Sequence, residues 1–370
     1  MTQDTVQAAI QSPRKLERPE PIVRADSMLH VVYERSNTAE MSRFLADFGL
    51  IPVQHPGSDV LYFRGHGTNA YLVAIIPSDQ DRFVGFGAAV ETLEELEQLS
   101  KGAGVTIEPV EAPGGGQRVR LTDPDGLRVD VVFGAASVEA LPTRDALLAV
   151  NTPGHRVRVN AGVRTPVEPS PIFRLGHVVL QRPNFERAAH WYMRHLGILA
   201  SDVQMLPDGS PGMGFFRFDR GDKPTDHHSL AILGAPATGL LHVAFETFDL
   251  ESVGQGHRHL RAQGWTPFWG IGRHALGSQL FDYWKDPVGD EWEHYADGDL
   301  YDAHQPTGYH ELTRGTLWTW GDDLPASMRP DVPLDQIDAI HAAGGFGDME
   351  LERARALITA MQVQPRPWMR

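Results

Sequence analysis

Two hydrophobic periods alternate along this chain in a fixed order. Short apolar, β-branched runs at 29–33 and 177–181 read as strands. Each is followed by a stretch of helical period, 38–48 and 185–196, which closes at a glycine, Gly49 or Gly197. Apolar segments at 61–63, 70–76, 215–218 and 229–233 come next, separated by Gly, Asp and Pro turn signals. The plan then recurs. Strands are predicted at 86–91 and 242–247, and helices at 93–102 and 250–263. Closing strands flank Asp123-Pro124-Asp125-Gly126 and Asp286-Pro287-Val288-Gly289, both ordinary hairpin-turn signals.

This recurrence is an internal repeat. Met28-Leu29-His30-Val31-Val32 matches Leu175-Gly176-His177-Val178-Val179, and Val90-Glu91-Thr92-Leu93 matches Phe245-Glu246-Thr247-Phe248. The offset grows from 147 residues (His30 to His177) to 163 (Asp123 to Asp286), so the second copy has longer loops. The chain therefore reads as α+β, with four βαβββ modules forming two similar domains at 28–134 and 173–300. An arm (1–27) precedes them, a connection (135–172) joins them, and an extension (301–370) follows. The extension holds Trp318, Trp320, Pro325 and Pro330, with one helix predicted at 350–361. Content this aromatic implies packing on the body, either over a pocket mouth or as a buttress.

A length of 370 residues suits two domains, and 41% apolar content is enough to bury their cores. Zero Cys excludes disulfides, thiolate metal sites and cysteine nucleophiles, so any metal must sit on His nitrogen and carboxylate oxygen. A net charge of −15 argues against a nucleic-acid binder, which needs clustered Lys and Arg. No apolar run approaches the roughly 18–20 residues of a membrane span. The first 27 residues lack the apolar core of a secretory signal. The reading is a cytoplasmic protein acting on a small molecule.

Aligning the copies places His30, Gly87 and Asp130 opposite His177, His242 and Glu293. The second set consists entirely of metal-ligand types. Strands of a curved sheet can aim all three at one cavity. Two imidazoles and one carboxylate leave coordination positions open, as in non-haem Fe(II) oxygenases. A lone His on an apolar strand is more often a hydrogen-bonded core residue, and a lone Glu a surface residue. Their shared repeat positions, with partners lost in the first copy, favour metal binding; His30 then reads as structural. His190, His195, His257 and His259 fall on helix faces and read as solvent-facing. Gly114-Gly115-Gly116 lacks a following Lys-Ser/Thr and reads as a turn. Neither a Gly-x-Ser-x-Gly elbow nor a dinucleotide fingerprint is present.

The stretch from Gly272-Arg273-His274 to Glu293 resembles the signature of type I extradiol ring-cleavage dioxygenases, the catechol 2,3-dioxygenase-like enzymes of the vicinal oxygen chelate superfamily. It has a His, a Tyr nine residues later (Tyr283), then Asp286-Pro287-Val288-Gly289, then the Glu. Asp282 departs from the pattern, standing where an apolar residue usually precedes the Tyr. The resemblance spans roughly 28–300. It implies that His177, His242 and Glu293 hold Fe(II), or Mn(II) on the same donors. It also implies catalytic roles for His228, His274 and Tyr283. His228 would be the acid–base residue, with His227 as its rival. His274 and Tyr283 would bind substrate oxygens, and Tyr295 and Val179 would line the pocket. Val179 favours an uncharged ring substituent. The implied activity is cleavage of a catechol-type ring beside its hydroxyls, adding both atoms of O2, in aromatic catabolism. A homotetramer is the implied assembly. Two alternatives stand beside it. One is a 4-hydroxyphenylpyruvate-dioxygenase-like oxygenase, which the His-to-Glu signature argues against. The other is a non-catalytic ligand-binding protein on the same scaffold.

Overall fold

A computed structural model of the chain describes residues 13–144, 150–329 and 332–363. Pro330 and the first part of the arm lie outside the described residues. The helices form where the sequence predicts them. Thr38–Phe48 is capped by Asn37, whose side chain accepts from the Glu40 N–H, and ends at Gly49 with φ +111°. Phe185–Leu196 is capped by Asn184 and ends at Gly197 with φ +67°. Both bury one apolar stripe: Met41, Phe44, Leu45 and Phe48 in the first, and Phe185, Ala188, Tyr192 and Met193 among others in the second.

Two mixed sheets carry the fold. The first has eight strands, with Ser27–Arg35 and Arg82–Ala89 paired antiparallel at its middle. The second has ten, with Ile172–Arg182 and Gly239–Thr247 in the same central places. An aromatic cluster joins the two halves: Trp292 of the second sheet packs on Tyr33, Phe44 and Phe48 of the first half. Described residues of the arm drape over the second half, with the Ile22 N–H on Arg194 O and the Ala25 N–H on Leu196 O.

The two Asp-Pro-x-Gly turns do more than reverse the chain. Asp123 Oδ1 accepts the Asp125 and Leu127 N–H groups of its own turn, while Oδ2 takes Arg182 of the other half at 2.7 Å. Asp286 Oδ1 accepts the Val288 and Asp290 N–H groups, and Oδ2 takes Arg35 at 2.8 Å. Arg35 and Arg182 are themselves repeat equivalents, so each copy grips the turn of the other. All four side chains are at most 1% exposed. Tyr192 Oη also donates to Asp123 Oδ2. Removing one member of such a pair strands a buried charge. Asp123→Ala is accordingly expected to cost about 3–5 kcal/mol in urea unfolding. Arg187→Ala, which breaks an exposed pair to Asp125, should cost at most about 1 kcal/mol. Equal, small losses would show that the reciprocal pairs do not hold the halves together.

The extension departs from expectation. Its helix is Leu351–Gln362, but a second short helix, Ile337–Ala342, precedes it. Strand Gly308–Glu311 adds to one edge of the ten-stranded sheet beside Leu199–Met205. Strand Trp318–Gly321 adds to the other edge beside Thr266–His274. Four-residue strands whose partners lie far away in sequence leave no periodic signal. The helical histidines also need correction. His190 is exposed, but His195 is half-buried and hydrogen-bonded to Trp191 O. His259 is buried against Asp47 of helix Thr38–Phe48, and His257 is paired with buried Asp282. Those faces meet other elements that helical periodicity does not reveal.

Candidate metal centre and active site

Six neighbouring strands of the second sheet build the site. His177, His242 and Glu293 come from Ile172–Arg182, Gly239–Thr247 and Glu291–Ala296. Tyr283 and His274 come from Leu280–Lys285 and Thr266–His274. His228 lies just before Leu230–Gly234, which pairs with the other side of Ile172–Arg182. Ala244 pairs with both His177 and Glu293, and its small side chain leaves room between them.

Ligand atoms of His177, His242 and Glu293 all lie within 4.8 Å of one another, and all three residues are buried. Glu293 Oε2 is 3.1 Å from His177 Nε2 and 3.3 Å from His242 Nε2. Among the described residues, both nitrogens of His242 and Glu293 Oε1 are buried without a hydrogen-bond partner. Buried polar atoms are nearly always satisfied, so this cluster of orphans needs an explanation. A divalent ion supplies one. Burial lowers the proton affinity of His177. Burial alone would raise that of Glu293, but His177, hydrogen-bonded to it, and the adjacent His242 hold its carboxyl well below the usual range. Neutral imidazoles and an ionised carboxylate are the donor set for a first-row divalent metal. This is the only His/Cys/Asp/Glu group of its kind among the described residues.

The first copy is arranged differently. Asp130 is ion-paired with Arg118, Arg120 and Arg128, and His30 stacks on Tyr71 with centroids 4.7 Å apart. A Cβ on Gly87 would lie 2.3 Å from the His30 ring. Burial lowers His30 to about 4, so it is a neutral packed residue. Strand register also corrects the sequence alignment. His30 pairs with Gly87 and Gly87 with Asp130, whereas His177 pairs with Ala244 and Ala244 with Glu293. The partner of His242 is therefore Gly85, each lying opposite a valine, Val179 or Val32. A slip of two residues keeps the same face of a strand, so the inward set survives it.

His228 stands over His177, ring centroids 4.2 Å apart, and lines the cavity. His227 points the other way, and its Nε2–H donates to Asp202 Oδ2 at 2.6 Å. Burial, reinforced by His177, places His228 well below the ordinary imidazole range. Tyr283 Oη donates to His274 Nε2 at 3.0 Å, while the His274 Nδ1–H donates to Leu317 O at 2.9 Å. That pair of contacts fixes the neutral tautomer of His274. Tyr283 is in register with Glu293, and burial beside that carboxylate keeps its phenol protonated.

Tyr295 does not line the cavity. It shares a strand face with Glu293, but its ring fills the space below Gly176, where a Cβ would come within 2.1 Å of Tyr295 Oη. Val179 is on the wall. Asp282, the departure from the dioxygenase-like pattern, faces away from the cavity and accepts from Trp284 Nε1 at 2.6 Å.

The cavity measures about 440 Å³. His177, His228, His242, His274 and Tyr283 cluster at its polar end. Val179, Met213, Phe215, Leu241 and Trp269 form one apolar wall, and the extension supplies another through Leu312, Leu317, Leu324, Phe346, Leu357, Ile358 and Met361. The extension thus walls the pocket, which the sequence reading left open. An apolar stripe at 354, 357, 358 and 361 signalled that its last helix packs, but not against what.

Residues 174–294 match the Glyoxalase/Bleomycin resistance protein/Dioxygenase superfamily. Over 303 residues the chain is 29% identical to Metapyrocatechase 2 of Cupriavidus necator, covering 81% of this chain and 90% of that protein. It is 27% identical over 257 residues to 1,2-dihydroxynaphthalene dioxygenase of Sphingobium xenophagum, covering 66% of this chain and 79% of that one. Its fold is similar to the crystal structure of homoprotocatechuate 2,3-dioxygenase from Arthrobacter globiformis. The TM-score is 0.69, with 20% identity over 87% of this chain and 97% of the other.

Proposed function

We propose that this chain, which carries a domain of the Glyoxalase/Bleomycin resistance protein/Dioxygenase superfamily at 174–294, is an extradiol dioxygenase that uses O2 to open a catechol-type ring beside its vicinal hydroxyls. One observation carries the reading. Two buried imidazoles and a buried carboxylate converge, with orphaned donor atoms, at the polar end of an apolar cavity. His177, His242 and Glu293 would hold the ion, which we take as Fe(II); Mn(II) suits the same donors. A bound Fe(II) supplies Lewis acidity toward the diol and a redox partner for O2.

The remaining chemistry falls to the protein. His228, neutral and facing the cavity, takes a hydroxyl proton as substrate binds and returns it as the ring opens. His274 and Tyr283 place a fixed tautomer and a protonated phenol where oxyanion charge develops. The apolar walls exclude water and favour a substrate with an uncharged substituent, in keeping with Val179. The charged residues on the cavity, Lys285 and Glu291, are paired with each other at 2.9 Å through Glu291 Oε1. Among the described residues no helix is long and apolar enough to cross a membrane. A cytoplasmic homotetramer serving aromatic catabolism completes the proposal, supported by the resemblance to ring-cleavage enzymes.

The test uses anaerobically purified chain, loaded with Fe(II) and offered a broad panel of catechols. Oxygen uptake with a coloured ring-opened product is the expected result. No uptake with any catechol would sink the proposal.

A further inference from the structure

Resting on the reading of His228 as the acid–base residue, we propose that His227, Asp202 and His310 form a positioning chain that holds His228 in the tautomer a base requires. The four side chains are linked in series. His228 Nδ1 lies 3.0 Å from His227 Nδ1. His227 Nε2 lies 2.6 Å from Asp202 Oδ2, and Asp202 Oδ1 lies 2.7 Å from His310 Nε2. His227 is fully buried, and His228 and Asp202 are nearly so. The His310 side chain is 42% exposed, so the chain runs from the cavity to the surface.

Donor bookkeeping determines the protons. Burial would raise the Asp202 carboxyl, but hydrogen bonds from His227 and His310 bring it down to about 2, so it is an acceptor only. His227 must therefore carry its proton on Nε2. In neutral His227, Nδ1 is then a bare acceptor, and the remaining proton in the His227–His228 contact belongs to His228 Nδ1. That leaves His228 Nε2 as a free lone pair for the substrate proton. When His228 takes that proton, its Nδ1–H can pass to His227 Nδ1. The positive charge then rests beside the Asp202 carboxylate, and no proton need cross it. A carboxylate that fixes an imidazole tautomer and stabilises its cation is the logic of hydrolase triads, here extended by one imidazole.

The fold is built around this chain. Asp202 lies in register with Gly308, where a Cβ would come within 2.0 Å of Asp202 Oδ1. The glycine gives the carboxylate room to reach His310, two residues along the same strand. Gly277, at φ +80°, rests on the other end, where a Cβ would lie 2.8 Å from His227 Nδ1. Phe215 and Tyr301 pack beside the His227 ring.

Asp202→Asn tests the chain with almost no change in shape. The amide can donate to His227 Nε2, which moves the His227 proton to Nδ1 and forces the His228 proton onto Nε2. The first readout is 15N NMR of the histidine-labelled full chain loaded with diamagnetic Zn(II). Wild type is expected to show His227 as Nε2–H and His228 as Nδ1–H, and Asp202→Asn to reverse both. The second readout is turnover with Fe(II). Asp202→Asn should lower kcat by on the order of 10²–10⁴-fold with KM and metal content unchanged. His310→Gln, which can still donate to Asp202, should keep the wild-type spectrum. A wild-type His228 protonated on Nε2, or a His227 bearing both protons, would overturn the proposal. So would an Asp202→Asn variant in which the His227 proton moves to Nδ1 while the His228 proton and kcat stay unaltered. If wild type cleaves no catechol, the functional reading fails instead, and the spectrum still decides the tautomer.

Discussion

Glu293→Ala is expected to give a folded protein that retains no divalent metal and cleaves no catechol. Glu293 is fully buried, and its Oε2 is shared between His177 and His242. The carboxylate is the only anion of the three-residue cluster. Without it two neutral imidazoles remain, and they neither offset the charge of the ion nor complete a facial set. Folding should not suffer in proportion, because the change removes a buried charge instead of stranding one. His177→Ala should behave alike. His30→Ala is the control, since His30 packs on Tyr71 and its nearest acid, Asp130, is engaged by three arginines. Metal content after dialysis, read beside oxygen uptake, decides the matter. Stoichiometric metal in Glu293→Ala, or its loss in His30→Ala, would show that other residues hold the ion.

His228→Ala should separate metal binding from turnover. The variant is expected to keep its metal and to bind catechol anaerobically. Its kcat should fall by on the order of 10²–10⁴-fold, the usual worth of a positioned proton donor and acceptor. That is roughly 2.7–5.4 kcal/mol of transition-state stabilisation. Proximity motivates the expectation: the His228 ring lies 4.2 Å from that of His177 and faces the same cavity. Loss of metal in this variant would make His228 a ligand, and an unchanged kcat would leave it without a role in proton transfer. His227→Ala makes an informative companion. Its imidazole is outside the cavity, so any effect on turnover must act through His228.

Much of the architecture could be read locally. Gly49 and Gly197 mark helix ends in the sequence and do so in the fold, where Asn37 and Asn184 cap the opposite ends, because capping is decided within a few residues. The candidate trio His177, His242 and Glu293 was also legible, since strand alternation and the repeat point the three inward and a two-residue slip preserves the face. Tyr295 was not. It obeys the same alternation, yet the missing side chain of Gly176 lets its ring reach under Ile172–Arg182, two strands away. His257 and His259 look solvent-facing by helical periodicity because Asp282 and Asp47, their partners, belong to distant segments.

The sequence by itself determined the module order, the α+β class and the chemistry available. With no Cys, a metal site could only be His and carboxylate. Tertiary structure alone decided which of two adjacent histidines faces the cavity, that the extension walls it, and that each half clasps the turn of the other through Arg35 and Arg182. The physical reason is the range of the forces. Periodicity and capping act over a turn or a strand. The direction a polar group faces is settled by its hydrogen-bond partner, and here Asp202, Asp123 and Asp286 lie tens to hundreds of residues from the groups they hold.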